Sequence, residues 1–234
     1  VQPLKYNLHS IVCVYYQLQL MSKKLLLFIL TGILFIVTRA QNNWVLKGNR
    51  DGILVYTRSM PDSKVKSIKV ECTLPVTLSQ MVFIILDIDA SKQWIYSTKS
   101  ATTIKQVSPA ELYYYSELDM PWPVTNRDFI AHIKVTQDAA TKVVTVNAEN
   151  VPGFVALKPN IVRVKESVGK WLFTPAGPNA VKVEYTLFTD PGGSLPAWLV
   201  NMFITKGPYE SFSKLKQHIK GGAHANAKLP FIKD

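Results

Sequence analysis

From Gly52 onward the chain is dominated by short runs of β-branched and aromatic residues that alternate with polar ones and are bounded by turn formers. This pattern predicts strands over residues 53–58, 64–74, 102–107, 111–118, 128–136, 143–150, 161–173 and 181–189. The period lengthens in three places. TLSQMVFIILD, residues 77–87, gathers Leu78, Met81, Val82, Ile85 and Leu86 on one helical face, and residues 91–96 add a short helical turn. Residues 194–220 read as one long helix, with Ser194 as N-cap and Pro196 in the first turn, where a missing amide does no harm. Leu195, Leu199, Met202, Tyr209, Phe212, Leu215 and Ile219 form its apolar stripe, widened by Trp198 and Phe203. A helix of that length reaches roughly 39 Å at 1.5 Å per residue, enough to cross a sheet. Pro208 after Gly207 predicts a kink within it. Many antiparallel strands and one long terminal helix describe an α+β domain whose curved sheet grips a helix.

The first forty residues break the pattern. MSKKLLLFILTGILFIVTRAQ has two lysines, an apolar run over residues 25–37, and Thr38-Arg39-Ala40 with small residues at its first and third positions. That is the layout of a secretory signal, with an apolar run short for a membrane span. Cleavage is expected after Ala40; an uncleaved anchor is the alternative, because Arg39 adjoins the cut. Residues 1–20 read as a mis-assigned upstream extension, 21–40 as the signal, 41–220 as the folded domain and 221–234 as a flexible tail. Export to the periplasm or the secreted space follows.

Removing residues 1–40 takes away four of the 27 basic residues and none of the 16 acids, which leaves +7. This diffuse positive charge suits approach to an anionic lipid surface and forms no basic stripe of the kind nucleic acid requires. Cys72 is the one cysteine after the cut, so no disulfide is expected within the mature domain. His132, His218 and His224 are scattered, which offers no metal-ligand spacing, and no nucleophile elbow, phosphate loop or dinucleotide fingerprint occurs. No cofactor is expected, and the reading is of a non-enzymatic monomer.

Two stretches stand out. In PWPVTNRDF a strand opens with Arg127 and Asp128, and alternation sends them to opposite faces. An inward Arg127 needs an acid, a water or a ligand oxygen; Glu117 and Asp119 are the candidate acids, and a structural role holding the Pro121 to Pro123 turn is the alternative. VPGFVALKPN, residues 151–160, is apolar where a surface loop is usually polar. Either it packs back on the domain, or Phe154, Val155 and Leu157 gate a cavity and dip into a membrane, with Lys158 at the headgroups.

WVLKGNRDGILVYTR, ASKQW, PWPVTNRDF, the apolar loop and DPGGSLPAWLVN occur in an order that resembles a START domain, the steroidogenic-acute-regulatory-related lipid-transfer family, over nearly all of the mature chain. The likeness is strongest to the phosphatidylcholine-transfer branch. It implies a helix-grip fold, in which a bent antiparallel sheet surrounds a tunnel closed by the C-terminal helix and an Ω-loop, with one lipid inside. It also implies Arg127 as a polar group near the cavity. Where that branch has an Arg for the lipid phosphate this chain has Ser91, and where it has a Trp against choline this chain has Ser116.

The expected ligand-binding residues are Arg127, Glu117, Tyr113, Tyr115, Trp94, Tyr185, Trp198 and Met202, around one phospholipid or sterol-like molecule, with transient membrane contact. The rival on the same scaffold is a polyketide cyclase or aromatase in which Arg127, Glu117 or His132 orients or protonates the substrate. A third reading is a module with a filled core. Cavity size separates that reading from the other two.

Overall fold

Strand alternation is realised as buried and half-buried residues taking turns along each central strand. In β2 (Ile53–Ser59) Ile53, Val55 and Thr57 are buried, and Leu54, Tyr56 and Arg58 between them are half-buried. The computed structural model describes residue 19 and residues 44–234 apart from 62, 64 and 194. Apart from Gln19, the upstream extension, the signal and its cleavage point lie outside the described residues, as does Ser194.

The ten strands among the described residues are β1 (Val45–Arg50), β2, β3 (Lys66–Leu74), β4 (Thr98–Ser108), β5 (Glu111–Leu118), β6 (Arg127–Gln137), β7 (Val144–Asn150), β8 (Val162–Arg163), β9 (Glu166–Gly177) and β10 (Ala180–Asp190). They form one sheet in the order β1-β2-β3-β10-β9-β7-β6-β5-β4, with β8 beside β6. Every pairing is antiparallel except that of β8 with β6. The pairing of β3 with β10 joins the first three strands to the last hairpin, so the two ends of the domain meet in mid-sheet. α1 (Leu78–Leu86) links β3 to β4, and α2 (Ala197–Lys220) packs Leu199, Phe212, Leu215 and Ile219 into the interior. This is the α+β helix-grip fold.

Several elements differ from the sequence expectation. β1 was not expected, because WVLKGNR interrupts its apolar residues with Lys and Gly. Gly48 lets α2 approach there: a Cβ would lie 2.5 Å from Tyr209 Oη, which would have to shift. The strand expected over 161–173 is two strands, since β8 runs parallel to Arg127 and Asp128 before the chain turns into β9. α1 is capped by Thr77, whose Oγ1 accepts from the amide of Gln80 at 3.1 Å, and residues 91–96 contain a 3₁₀ turn over Ser91–Gln93. Pro196, expected in the first turn of α2, is instead its N-cap, and the helix continues through Pro208. Its 24 residues span about 36 Å.

Residues 221–234 are not a flexible tail. Ile232 is buried, the amide of Ser79 donates to Asp234 Oδ1 at 2.7 Å, Gln80 Nε2 donates to the carbonyl of Ala223, and Gln137 and Lys233 exchange two bonds of 2.8 Å. The physical reason is that α1 is buried along nearly its whole length and leaves the amides of its first turn to be satisfied, which an acidic side chain from the tail does.

Candidate functional site

A cavity of about 300 Å³ lies between the inner face of the sheet and the first half of α2. Its wall is apolar and aromatic: Ile68, Ile85, Ile88, Tyr114, Phe129, Ile133, Val146, Ala148, Val164, Trp171, Tyr185, Leu187, Phe203, Ile204 and Phe212 are among its lining. At one side Trp171 stacks on Tyr185 at 4.0 Å and on Phe212 at 5.6 Å and meets the edge of Trp94 at 6.2 Å. Burial pushes the phenols of Tyr114 and Tyr185 well above their ordinary range, so both are neutral. Lys66 is the one charged residue of the lining among the described residues.

Polar groups on the wall are few, and some lack partners. Ser167 and Thr189 bond to each other at 2.7 Å, Ser116 donates to the carbonyl of Ser100, and Ser211 accepts from the amide of Tyr96. Trp94 Nε1, Thr98 Oγ1 and Asn150 Oδ1 are buried with no hydrogen-bond partner in the protein. A bound molecule with a polar end, or water, has groups to meet here.

Arg127 is 4 % exposed. Alternation puts it in phase with Phe129, Ala131 and Ile133, which line the cavity, although Arg127 itself does not. Its guanidinium donates through Nη1 to the carbonyl of Thr125 and through Nη2 to that of Gly192 at 3.5 Å, and Nε has no partner. Neither expected acid reaches it. Glu117 accepts from Lys99 and Asn126, each at 2.9 Å, and no hydrogen bond or ion pair joins Asp119 to Arg127. Burial lowers the pKa of Arg127. The side chain thus ties the turn before β6 to the turn before α2.

The outer face carries the remaining candidates. Tyr113 is sandwiched between His132 at 4.4 Å and Phe154 at 4.6 Å, with nearly parallel rings, and Lys158 stands 4.0 Å over the ring of Tyr115. Asp128 is paired there with Arg163, a residue the sequence reading did not single out. Arg163 donates through Nε and Nη2 to both carboxylate oxygens of Asp128, at 2.6 and 3.0 Å, and through Nη1 and Nη2 to the carbonyls of Pro152, Val155 and Ala156. All five guanidinium donors are used. The bond to Asp128 raises the pKa of Arg163. The apolar loop is therefore docked on the outside of β5 and β6, which explains why Asp128, on that face, is buried.

Of the expected ligand-binding residues, only Trp94 and Tyr185 line the cavity. Tyr113, Tyr115 and Glu117 occupy the outer face, Trp198 is half-exposed, and Met202 is half-buried and does not line the cavity. No residue of 151–160, including Phe154, Val155, Leu157 and Lys158, lines it. Tyr114 was missed in favour of its neighbours, although a signal existed. Ser91 and Ser116, the positions that the resemblance assigns to headgroup recognition, both line the cavity, and Tyr114 shares the parity of Ser116. Cys72 is buried, and burial pushes its thiol up to about 12, which keeps it protonated and inert.

Fold and cavity together define a helix-grip protein with an apolar cavity between its sheet and its terminal helix. A family model described as the START domain matches residues 36–221, and the chain belongs to that family. An uncharacterised protein of Pseudomonas aeruginosa is 31% identical over 174 residues, covering 74% of this chain and 85% of that protein. The phosphatidylcholine transfer protein of Rattus norvegicus is 26% identical over 182 residues, covering 74% and 81%. Among solved structures, a STAR-related lipid transfer protein from Xanthomonas axonopodis superposes with a TM-score of 0.70 at 30% identity, covering 76% of this chain and 99% of that one. Human StAR-related lipid transfer protein 5 shares the fold, with a TM-score of 0.67 at 17% identity over 87% of this chain and 99% of that one.

Proposed function

We propose that this protein is an exported, non-enzymatic carrier that binds one hydrophobic ligand, phospholipid or sterol-like, and moves it between membranes. The observation that carries the reading is the aromatic and aliphatic cavity under α2, in a chain of the START-domain family whose relatives include a protein named for phosphatidylcholine transfer. Burial of a chain stabilises the complex by about 0.8 kcal/mol per methylene, so a dozen methylenes contribute roughly 10 kcal/mol before ordering costs. Ser91 and Ser116 on the wall supply neither the cation nor the aromatic ring that phosphocholine recognition would use, which argues against a phosphatidylcholine-specific site. The cavity lies at the small end of the ~300–1,000 Å³ range of ligand pockets, so a two-chain lipid requires α2 to move outward.

The opening element we favour is the first half of α2, because Val200, Phe203, Ile204, Gly207 and Pro208 all line the cavity. Pro208 has no amide to donate to the carbonyl of Ile204, which weakens the helix at that point. A cyclase reading draws no support from Glu117 and His132, which face away from the cavity; His132 is bonded to Glu111 at 2.7 Å. Export rests on residues 21–40 and is tested by the first residue of the recovered protein.

The test of carriage is transfer of a fluorescent phospholipid or sterol between vesicles, with native mass spectrometry of the protein from its own host. Ala148→Trp, which fills the cavity from β7, should remain folded by circular dichroism and lose both bound lipid and transfer. Transfer by the filled variant at the wild-type rate would place the lipid elsewhere, and a wild-type protein that neither holds nor moves lipid would end the reading.

A further inference from the structure

Arg127 poses a chemical problem that the cavity reading leaves unsolved. A guanidinium removed from water needs acceptors for its donors and an opposite charge close by. Two backbone carbonyls serve this one, Nε has no acceptor, and no carboxylate among the described residues is paired with it. Three nearby acids are committed, Glu117 to Lys99 and Asn126, Asp128 to Arg163, and Asp190 to the amide of Gly192, and Asp119 is exposed and makes no bond to Arg127. Cavity-lining residues flank it, with Phe129 two positions along β6, Leu118 paired across from it in β5, and Pro191 next to the glycine it bonds. The bond to Gly192, at 3.5 Å, is at the limit of a hydrogen bond, and Gly192 and Gly193 both have positive φ. Arg127 therefore has only a weak hold on that turn, which lies next to the start of α2.

We propose that Arg127 receives an acidic group at the polar end of the ligand, a carboxylate or a phosphate, and that the ligands this cavity takes are therefore anionic amphiphiles. The inference rests on the carrier reading and narrows its ligand class. An anionic oxygen would satisfy Nε and replace the long bond to Gly192, so that the ligand's headgroup, and not the 191–193 turn, holds the guanidinium. The acyl chain would then run past Phe129 and Tyr114 toward Trp171, along residues that already form the wall. Lys66, the one cation among the described residues that lines the cavity, stands exposed on β3 and serves as the control.

Binding of oleate, 1-oleoyl-lysophosphatidate and oleyl alcohol to the full-length protein, delipidated and measured by calorimetry, tests this. A hydrogen-bonded charge should make an acid bind ~10-fold or more tighter than the alcohol. The preference for oleate or for the lysophosphatidate identifies the group as carboxylate or phosphate. Arg127→Met should bring acid and alcohol to within about 2-fold, while Lys66→Met retains the difference. If Arg127→Met does not fold, the Lys66→Met ratio decides: a retained preference for the acid supports Arg127, and its loss overturns the proposal. Equal binding of acid and alcohol by the wild type would overturn it too, and would leave Arg127 as a staple between two turns with the carrier reading intact. Failure of all three probes to bind would instead count against the carrier reading.

Discussion

Replacing Arg163 with Met isolates the contact on which the docked loop depends. In the native protein its five donors serve both oxygens of Asp128 and three carbonyls of the loop, and the side chains of Arg163 and Asp128 are 6 % and 1 % exposed. Methionine retains much of the stem volume and removes every donor, so Asp128 becomes a buried, uncompensated carboxylate. Breaking a buried pair from one side destabilises by about 3–5 kcal/mol. The carbonyls of Pro152, Val155 and Ala156 add less, because the loop is largely exposed and water can replace the donors. For a domain of this size each kcal/mol lowers Tm by about 2–4 °C, so the melting point should fall by about 6–20 °C. Thermal unfolding followed by circular dichroism measures that fall, and limited proteolysis should show new cleavage within 151–160. Adding Asp128→Leu to Arg163→Met removes the stranded charge and should restore part of the loss. A change of under 2 °C, or a double variant no more stable than Arg163→Met alone, would refute the reasoning. Lipid content should be unchanged wherever the variant remains folded, because no residue of the loop lines the cavity.

The bond from Lys99, with that from Asn126, outweighs burial and lowers the pKa of Glu117 below its ordinary 4.5, so its contribution to stability is present above pH 4.5 and lost as pH falls through the lowered value. Glu117→Gln should remove that contribution, which lowers stability at neutral pH by a small amount because Lys99 is solvent-exposed, and so flatten the acid limb of a stability-versus-pH curve below pH 4.5; an unaltered acid limb would contradict the assignment. For export, N-terminal sequencing of the protein from the periplasm or medium should begin at or next to Gln41, and a form that retains residues 25–37 would exclude cleavage there.

The period of two along the strands and the helical stripes were legible in the sequence because each depends on residues a few positions apart. The family was legible too, since PWPVTNRDF and DPGGSLPAWLVN keep their order and spacing. Which side of the sheet is the inside could not be read from the triplet Tyr113-Tyr114-Tyr115, where either parity offers an aromatic surface; the pairing with β6 and the position of α2 decided it. The docking of the apolar loop on the outer face depended on Arg163, thirty-five residues from Asp128. The tail was likewise anchored by a partner 155 residues away, Ser79 at the start of α1. Local chemistry specifies elements and caps, because backbone hydrogen bonds and side-chain periodicity act over single turns. The partners of a buried charge are specified only by folding, since burial makes a partner necessary and the topology determines which groups are within reach.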